Sequence, residues 1–150
     1  MNHQKYIDQA VKLASENVAS GGKPFGAVIV KDHTVISTGV NEVLKSGDLT
    51  THAEIQAIRK ASKSQGEKVL SGAVLYASGH PCPMCLSAIY LAGIKEVYFA
   101  STLDEAKEAG LDVSHIYREL KENWEMQSIP LHQLSSTLKL EPLELWKEGQ

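Results

Sequence analysis

Apolar residues recur at helical spacing through the first twenty positions of the chain. They are Tyr6, Ile7, Ala10, Val11, Leu13, Ala14 and Val18. Because steps of three and four return to the same side of a helix, this spacing predicts one amphipathic helix. Gly21-Gly22 ends the pattern, as glycines commonly do after a helix. The apolar stripe of this helix needs a sheet to cover it.

Two β-rich runs follow the first helix. Residues 25–30 and 35–40 are separated by the short polar stretch 31–34, a pattern that predicts a β-hairpin. The polar segment 41–51 then leads into residues 52–64, where the apolar spacing becomes helical again. We therefore expect a helix, a hairpin and a second helix in the first half of the chain.

The second half begins with an alternation of short elements. We predict a strand at 73–77, a helix at 83–92 and a strand at 97–100, which is the β-α-β form of parallel strands. Beyond residue 101 the pattern predicts short helices at 104–109 and 115–123, a last strand at 131–134 and a last helical turn at 142–147. Together these elements predict one three-layer α/β domain over residues 1–150, with helices on both faces of a mixed sheet.

Composition and charge narrow the choice of partner. With 150 residues, 43% apolar content and 22% charged residues, the chain fits one globular domain. The formal charge of −3 is spread without a basic stripe, which disfavours a long nucleic acid as the partner. The N-terminus lacks the pattern of a signal peptide, and no segment approaches the roughly 20 apolar residues of a membrane helix. We therefore expect a soluble, cytoplasmic protein.

The strongest chemical signal is a pair of short motifs in different halves of the chain. They are His52-Ala53-Glu54 and Pro81-Cys82-Pro83-Met84-Cys85. Each motif stands where a predicted helix begins, and a helix N-terminus favours negative charge by about 0.3–1 kcal/mol, which suits thiolates. Two thiolates and one imidazole leave a fourth tetrahedral position of zinc open, as is typical of a catalytic site. His52, Cys82 and Cys85 are therefore the predicted zinc ligands.

Glu54 is the predicted catalytic residue. It follows His52 by two positions, so that at the first turn of a helix it can stand beside the metal without being a ligand. Zinc can lower the pKa of a bound water from near 16 to about 7, and a neighbouring carboxylate can then take its proton and return it to the substrate. A carboxylate does this well when burial and a nearby cation adjust its pKa toward the working pH.

A Cys-x-x-Cys pair also occurs in redox sites and in structural zinc sites. A structural site normally has four protein ligands, and this chain has no second cysteine pair. The histidines that could supply a fourth ligand show no motif spacing; they are His3, His33, His80, His115 and His132. A thioredoxin-like role leaves the upstream His-x-Glu motif without a purpose. Catalytic zinc is therefore the better interpretation.

At these motifs the chain resembles the cytidine deaminase superfamily, whose signature is His-x-Glu followed by Pro-Cys-x-x-Cys. Within that superfamily it is most similar to bacterial guanine deaminases. This similarity rests on the two motifs, on residues 24–31, on Glu108-Ala109-Gly110, and on Ile116-Tyr117 and Ile129-Pro130. The resemblance extends over nearly the whole chain.

The resemblance implies a cytidine-deaminase-like fold with a five-stranded mixed sheet, and a zinc-dependent hydrolase of purine metabolism. The expected substrate is a small nucleobase, with guanine to xanthine as the leading reaction. The resemblance also implies a homodimer, and in guanine deaminases the C-terminal segment is exchanged between partners. Trp146 and the segment after Pro142 would then pack on the partner subunit or close to the site, with packing on their own domain as the alternative.

The resemblance also assigns substrate contacts. Phe25 would pack against the base and Asn41 would hydrogen bond its edge, although a core position for Phe25 and a turn cap for Asn41 stay open. The chain departs from the subgroup at two positions where an acid is usual. His80 precedes Pro-Cys-x-x-Cys, where it either contacts the substrate or caps the cysteine helix, and Val113 stands near the second acid position. Asp112 is the candidate to replace that second acid.

Three functions remain possible from the sequence. The first is deamination of guanine, and the second is deamination of another amino-heterocycle, nucleoside or nucleotide, including adenosine in tRNA. The tRNA enzymes usually have a basic C-terminal helix, whereas residues 140–150 carry three acids and one lysine, so that version ranks lower. The third is a non-catalytic zinc module that binds a base or a partner protein. Such a module would have no use for the carboxylate of Glu54.

Overall fold

The computed structural model describes residues 2–150, apart from the side chain of Glu67, and consists of two compact units, one ending at Tyr117 and the other comprising Arg118–Gln150. The helices are α1 (His3–Ala19), α2 (Val43–Ser46), α3 (Ala53–Gln65), α4 (Pro83–Ala92), α5 (Leu103–Glu108), α6 (Ser114–Lys121) and α7 (Glu141–Glu148). The strands are β1 (Gly26–Lys31), β2 (Thr34–Val40), β3 (Val74–Gly79) and β4 (Glu96–Ser101). Across the described chain, none of the helices has the length and hydropathy that a membrane span requires.

The strands form one mixed sheet in the order β2-β1-β3-β4. Strand β1 runs antiparallel to both β2 and β3, whereas β3 runs parallel to β4. The turn between β1 and β2 consists of Asp32 and His33, which have φ angles of 50° and 64°, as a two-residue hairpin requires. The predicted hairpin, the β-α-β unit and the α/β class are therefore confirmed.

The prediction of a fifth strand is wrong, because the described residues form a four-stranded sheet and residues 131–134 are irregular. Pro130 removes a backbone hydrogen-bond donor immediately before this segment. Leu131 and Leu134 are 59% and 83% exposed, so no packed face holds the segment extended. A short apolar run specifies a strand only where tertiary packing supports it.

Side chains alternate between the two faces of the sheet along β1. Val28 and Val30 pack with Tyr6 of α1 on one face. Ala27 and Ile29 lie on the opposite face, in a cluster with alanines of α3 and apolar residues of α4. Because successive residues of a strand point to opposite sides, one strand supports both cores. The predicted arrangement of helices on both faces of the sheet is thus confirmed.

Helix α3 lies unusually close to strand β2. A methyl group on Gly39 would lie 2.2 Å from the carbonyl oxygen of Ala53, so only glycine allows this approach. The hydroxyl of Ser37 donates to the carbonyl oxygen of Ala57 at 2.7 Å and fixes the helix on the strand. These contacts hold the beginning of α3, which carries His52 and Glu54, at a defined position over the sheet.

Candidate metal centre and active site

The predicted zinc ligands come from the beginnings of two helices. His52 is the N-cap residue of α3, and Cys82 is the N-cap residue of α4. Pro83 occupies the first turn of α4, where its fixed φ angle and missing N–H are both tolerated. Cys85 lies in the same turn and is fully buried. Both thiols therefore lie at the positive end of a helix dipole, which favours thiolates.

The distances between these groups suit a zinc ion. Nδ1 of His52 lies 3.4 Å from Sγ of Cys82 and 3.5 Å from Sγ of Cys85, and the possible ligand atoms of the three residues all lie within 4.8 Å of one another. Tetrahedral zinc with Zn–S of about 2.3 Å and Zn–N of about 2.0–2.1 Å requires an S···N distance of about 3.5 Å. The cysteines form no disulfide, so both thiols are available. This set of donors therefore fits zinc.

Without a metal ion, the imidazole of His52 and the thiols of Cys82 and Cys85 compete for the same protons. The hydrogen bond with Cys85 lowers the pKa of the Cys82 thiol, against the effect of burial, and the same contact together with burial raises the pKa of Cys85. The hydrogen bond with Cys82 raises the pKa of His52. One thiol thus ionises readily only while the other keeps its proton. A metal cation would remove this competition, because it stabilises both thiolates.

Glu54 lies in the first turn of α3 and is only 6% exposed. Burial raises the pKa of its carboxyl group, and this effect is partly opposed by the backbone N–H of Glu54 itself and by the thiol of Cys85. A carboxyl group with a raised pKa holds a proton more readily than an exposed one. The structure therefore combines a buried carboxyl group with the three possible metal ligands.

A pocket of about 260 Å³ opens beside this cluster. Its lining residues are Lys23, Phe25, Asn41, His52, Glu54, Gly79, His80, Cys82, Leu103, Ala106, Gly110, Leu111, Asp112 and Val113. The pocket thus contains the predicted substrate contacts Phe25, Asn41, His80, Asp112 and Val113. Neither Lys23 nor the wall around α5 was predicted from the sequence. Lys23 directly precedes the Pro24-Phe25-Gly26 motif, and this position is the sequence feature that could have indicated it as a pocket residue.

Asn41 is buried and combines two tasks. Its Oδ1 accepts a hydrogen bond from the backbone N–H of Val43 at 3.0 Å, which is the turn cap left open by the sequence. Its backbone N–H donates to the carbonyl oxygen of Phe25 at 3.1 Å, so that the two residues are joined at the pocket. The amide Nδ2 of Asn41 can donate a hydrogen bond to a ligand.

The carboxylate of Asp112 is hydrogen-bonded to the first residue of α6. Its Oδ1 accepts hydrogen bonds from the backbone N–H and the hydroxyl of Ser114, at 2.8 and 2.6 Å, and these bonds lower the pKa of the carboxyl group. Val113 lines the pocket beside it with a side chain that can neither donate nor accept. This part of the pocket therefore offers fewer acceptors than two acids would provide.

His80 and Tyr117 hold the loop that precedes Cys82. Nδ1 of His80 lies 2.9 Å from the carbonyl oxygen of Pro81, and the Tyr117 hydroxyl donates to the same oxygen. The His80 ring also meets the rings of Phe99 and Tyr117 edge to face, with centroids 4.7 and 5.5 Å apart. Burial raises the pKa of Tyr117 to about 12, so its hydroxyl remains a donor at physiological pH. His80 thus lines the pocket and also supports the cysteine loop.

Trp146 lies in α7 of the C-terminal unit Arg118–Gln150, and its side chain is 70% exposed. Its predicted packing on a partner subunit or close to the site stays a prediction.

Tyr117→Phe is expected to lower the free energy of unfolding of the zinc-loaded protein by about 0.5–1.5 kcal/mol, the contribution of one hydrogen bond. The loss follows from removal of the donor to Pro81, and urea denaturation measures it. Tyr90→Phe is the matched control, because Tyr90 is 79% exposed. Equal effects of the two substitutions would contradict the role assigned to Tyr117.

Comparison with known proteins agrees with this geometry. Residues 1–101 match the family described as the cytidine and deoxycytidylate deaminase zinc-binding region. The guanine deaminase of Bacillus subtilis is 48% identical over 148 residues, which are 98% of this chain and 95% of that protein. A tRNA-specific adenosine deaminase of Aquifex aeolicus is 34% identical over 140 residues, 92% of each chain.

A solved structure gives the same result for the fold. The crystal structure of the Bacillus subtilis guanine deaminase superposes with a TM-score of 0.91, covering 99% of this chain and 95% of that one, at 48% identity. The family match covers more than half of the chain and includes both motifs. The chain therefore belongs to the cytidine and deoxycytidylate deaminase family and is a zinc-binding deaminase.

Proposed function

We propose that this protein is a guanine deaminase, which hydrolyses free guanine to xanthine and ammonia. The observation that carries the proposal is the buried Glu54 beside the His52, Cys82 and Cys85 cluster, at a pocket of about 260 Å³. This volume lies just below the roughly 300–1,000 Å³ of drug-sized ligand sites, which favours a free base over a nucleotide. Further support is the 48% identity over nearly the full chain with a protein named guanine deaminase.

His52, Cys82 and Cys85 are the proposed zinc ligands. Their donor types and their S···N distances of 3.4 and 3.5 Å support this assignment. When bound, zinc supplies a Lewis acid that makes water acidic enough to lose a proton near neutral pH.

Glu54 is proposed to move the protons of the reaction. Its carboxylate accepts a proton from the attacking water and delivers a proton to the leaving amine. A carbon–oxygen bond forms at the ring carbon while the carbon–nitrogen bond breaks, so that guanine and water yield xanthine and ammonia. Because burial raises the pKa of Glu54, the carboxyl group can carry a proton between the two positions.

Phe25 and Asn41 are proposed to hold the base. The Phe25 ring lines the pocket and can stack on the planar substrate. Asn41 can donate through Nδ2, since its Oδ1 already accepts from Val43. The backbone N–H of Asn41 donates to the carbonyl oxygen of Phe25, and this hydrogen bond limits the movement of the two residues relative to each other. The base would thus be oriented by one ring and one amide.

Val113 favours a second candidate substrate, an amino-heterocycle with fewer ring donors than guanine. Its side chain cannot accept a hydrogen bond, and Oδ1 of Asp112 already accepts two from Ser114. An unpaired donor in a buried site costs about 1–3 kcal/mol, or roughly a factor of 5–150 in discrimination. His80 could offset part of this cost through its ring nitrogen.

The two candidates are separated by kcat/KM for ammonia release from guanine and from other amino bases, nucleosides and adenosine in tRNA. The comparison includes the wild type, Val113→Asp and His80→Glu. A preference for guanine supports the first candidate. An increase in guanine turnover in Val113→Asp or His80→Glu supports the view that Val113 and His80 disfavour guanine. If the wild type prefers guanine by a wide margin and both substitutions reduce kcat/KM for guanine, the second candidate is rejected. No ammonia from guanine rejects the first.

We also propose that residues 1–150 act as one deaminase domain in a cytoplasmic homodimer whose partners exchange their C-terminal segments. Support comes from the apolar side chains that Arg118–Gln150 leaves exposed, which are Leu131, Leu134, Leu138, Leu143, Leu145 and Trp146. Exposed apolar surface of this kind is typical of protein–protein contacts. A second copy of the chain is the proposed partner.

Truncation before Glu141 is expected to shift the protein from dimer to monomer and to lower turnover, because it removes α7 and Trp146. Light scattering and ammonia release measure the two effects. A chain that lacks only Gly149 and Gln150 is the control. A chain truncated before Glu141 that stays dimeric and fully active would exclude the exchange.

A further inference from the structure

Lys23 brings a positive charge to the pocket, and the mechanism above gives it no role. It is half-buried, lines the pocket and forms no ion pair in the part of the chain that the structure describes. His52 and Cys82 line the same pocket, so Lys23 shares it with two of the possible metal ligands.

The backbone of Lys23 is fixed beside Asn41 by a single side chain. Nδ2 of Asn17 donates to the carbonyl oxygen of Lys23 and to that of Asn41, both at 2.8 Å. A methyl group on Gly22 would lie 2.4 Å from this nitrogen, so the glycine leaves the room that Asn17 needs. Both N–H bonds of the amide are used, one for each carbonyl. Asn17 thus holds together the two loops that carry Lys23 and Asn41.

This side of the pocket offers hydrogen-bond donors. Asn41 can donate through Nδ2, while its Oδ1 already accepts from the backbone N–H of Val43. The ammonium group of Lys23 has three donors and no acceptor. The ligand atom that faces the ammonium group of Lys23 must therefore be an acceptor, and a carbonyl oxygen is a strong one.

We infer that Lys23 is a specificity-determining residue that donates a hydrogen bond to the carbonyl oxygen of the bound base. The inference rests on the proposed function, since guanine carries one carbonyl oxygen, on ring carbon C6. Hydrogen bonds from a charged donor to oxygen are roughly twice as strong as those between neutral groups. Lys23 thus selects 6-oxopurines over purines that lack this oxygen. Asn17 is a positioning residue for Lys23.

The test compares two bases that carry no amine and so cannot be turned over. Hypoxanthine has the carbonyl oxygen at C6 and unsubstituted purine lacks it. Calorimetric titration gives the Kd of each base for the zinc-loaded full chain in the wild type, Lys23→Met and Lys23→Arg. Lys31→Met, at the far end of β1, is the matched control. Zinc content and xanthine formation from guanine are measured on the same samples.

Lys23→Met is expected to weaken hypoxanthine binding by about 10- to 150-fold, which corresponds to the 1.5–3 kcal/mol of a hydrogen bond to a charged group. Purine binding and zinc content should stay within about twofold, and Lys23→Arg should recover part of the loss. Equal effects on both bases, no effect on either, or no binding of hypoxanthine by the wild type would overturn the inference. Failure of the proposed function appears separately, as hypoxanthine binding without xanthine formation from guanine.

Discussion

Glu54→Gln is expected to lower kcat by about 10²–10⁴, the usual contribution of a general acid–base group, while the protein keeps its zinc and its fold. The amide has nearly the same size as the carboxyl group but cannot accept and return a proton. Because Glu54 is only 6% exposed and lies in the first turn of α3, a side chain of equal volume should preserve the packing. Steady-state ammonia release and zinc content are the two measurements.

The matched control for this substitution is Glu16→Gln. Glu16 forms an exposed ion pair with Lys12 at 3.7 Å, on α1, and such pairs contribute about 0–1 kcal/mol. Its loss should leave turnover unchanged. An almost unchanged kcat in Glu54→Gln would eliminate Glu54 as the proton carrier. Loss of zinc from Glu54→Gln would instead identify it as a metal ligand.

Cys85→Ala and His52→Ala are each expected to lose the metal, from about one zinc per chain in the wild type to little after dialysis, and with it nearly all turnover. Both residues belong to the group of three possible metal ligands that the described residues bring together. Loss of zinc should also lower the melting temperature, because a metal held by these residues would link the starts of α3 and α4. The fold should survive, since the cores on both faces of the sheet do not involve the metal.

His115→Ala is the control for the histidine substitution, because His115 is exposed and lies outside the cluster. It should retain zinc and activity. Full zinc retention in Cys85→Ala, measured by elemental analysis, would contradict the ligand assignment.

The sequence predicted best those elements whose ends have local chemical causes. Helix α4 spans Pro83–Ala92 as predicted, because proline favours its first turn and Gly93, with a φ of 75°, ends it. The hairpin was predictable for a similar reason, since a short polar stretch separates two β-rich runs. By contrast, residues 131–134 have strand-like apolar character but no packing partner that would hold them extended.

The metal cluster was predictable from its two motifs, whereas the rest of the pocket depends on contacts between distant residues. Lys23 is held next to Asn41 by Asn17, which lies 24 positions from Asn41 in the sequence. Tyr117 donates to Pro81, which lies 36 positions away. No local spacing indicates either contact, because each joins residues that lie far apart in the sequence. The surroundings of Lys23 and Tyr117 are therefore the part of the site that required the structure.

We propose that this chain is a zinc-dependent deaminase whose substrate is guanine. In the most direct test, the wild type is incubated with guanine, and xanthine and ammonia are measured together. Three samples are compared: the zinc-loaded protein, the protein after removal of zinc, and the same protein after zinc is restored. We expect equal amounts of the two products, loss of both on removal of zinc and recovery when zinc returns. Absence of xanthine with the zinc-loaded protein, or turnover that does not respond to zinc, would contradict the claim.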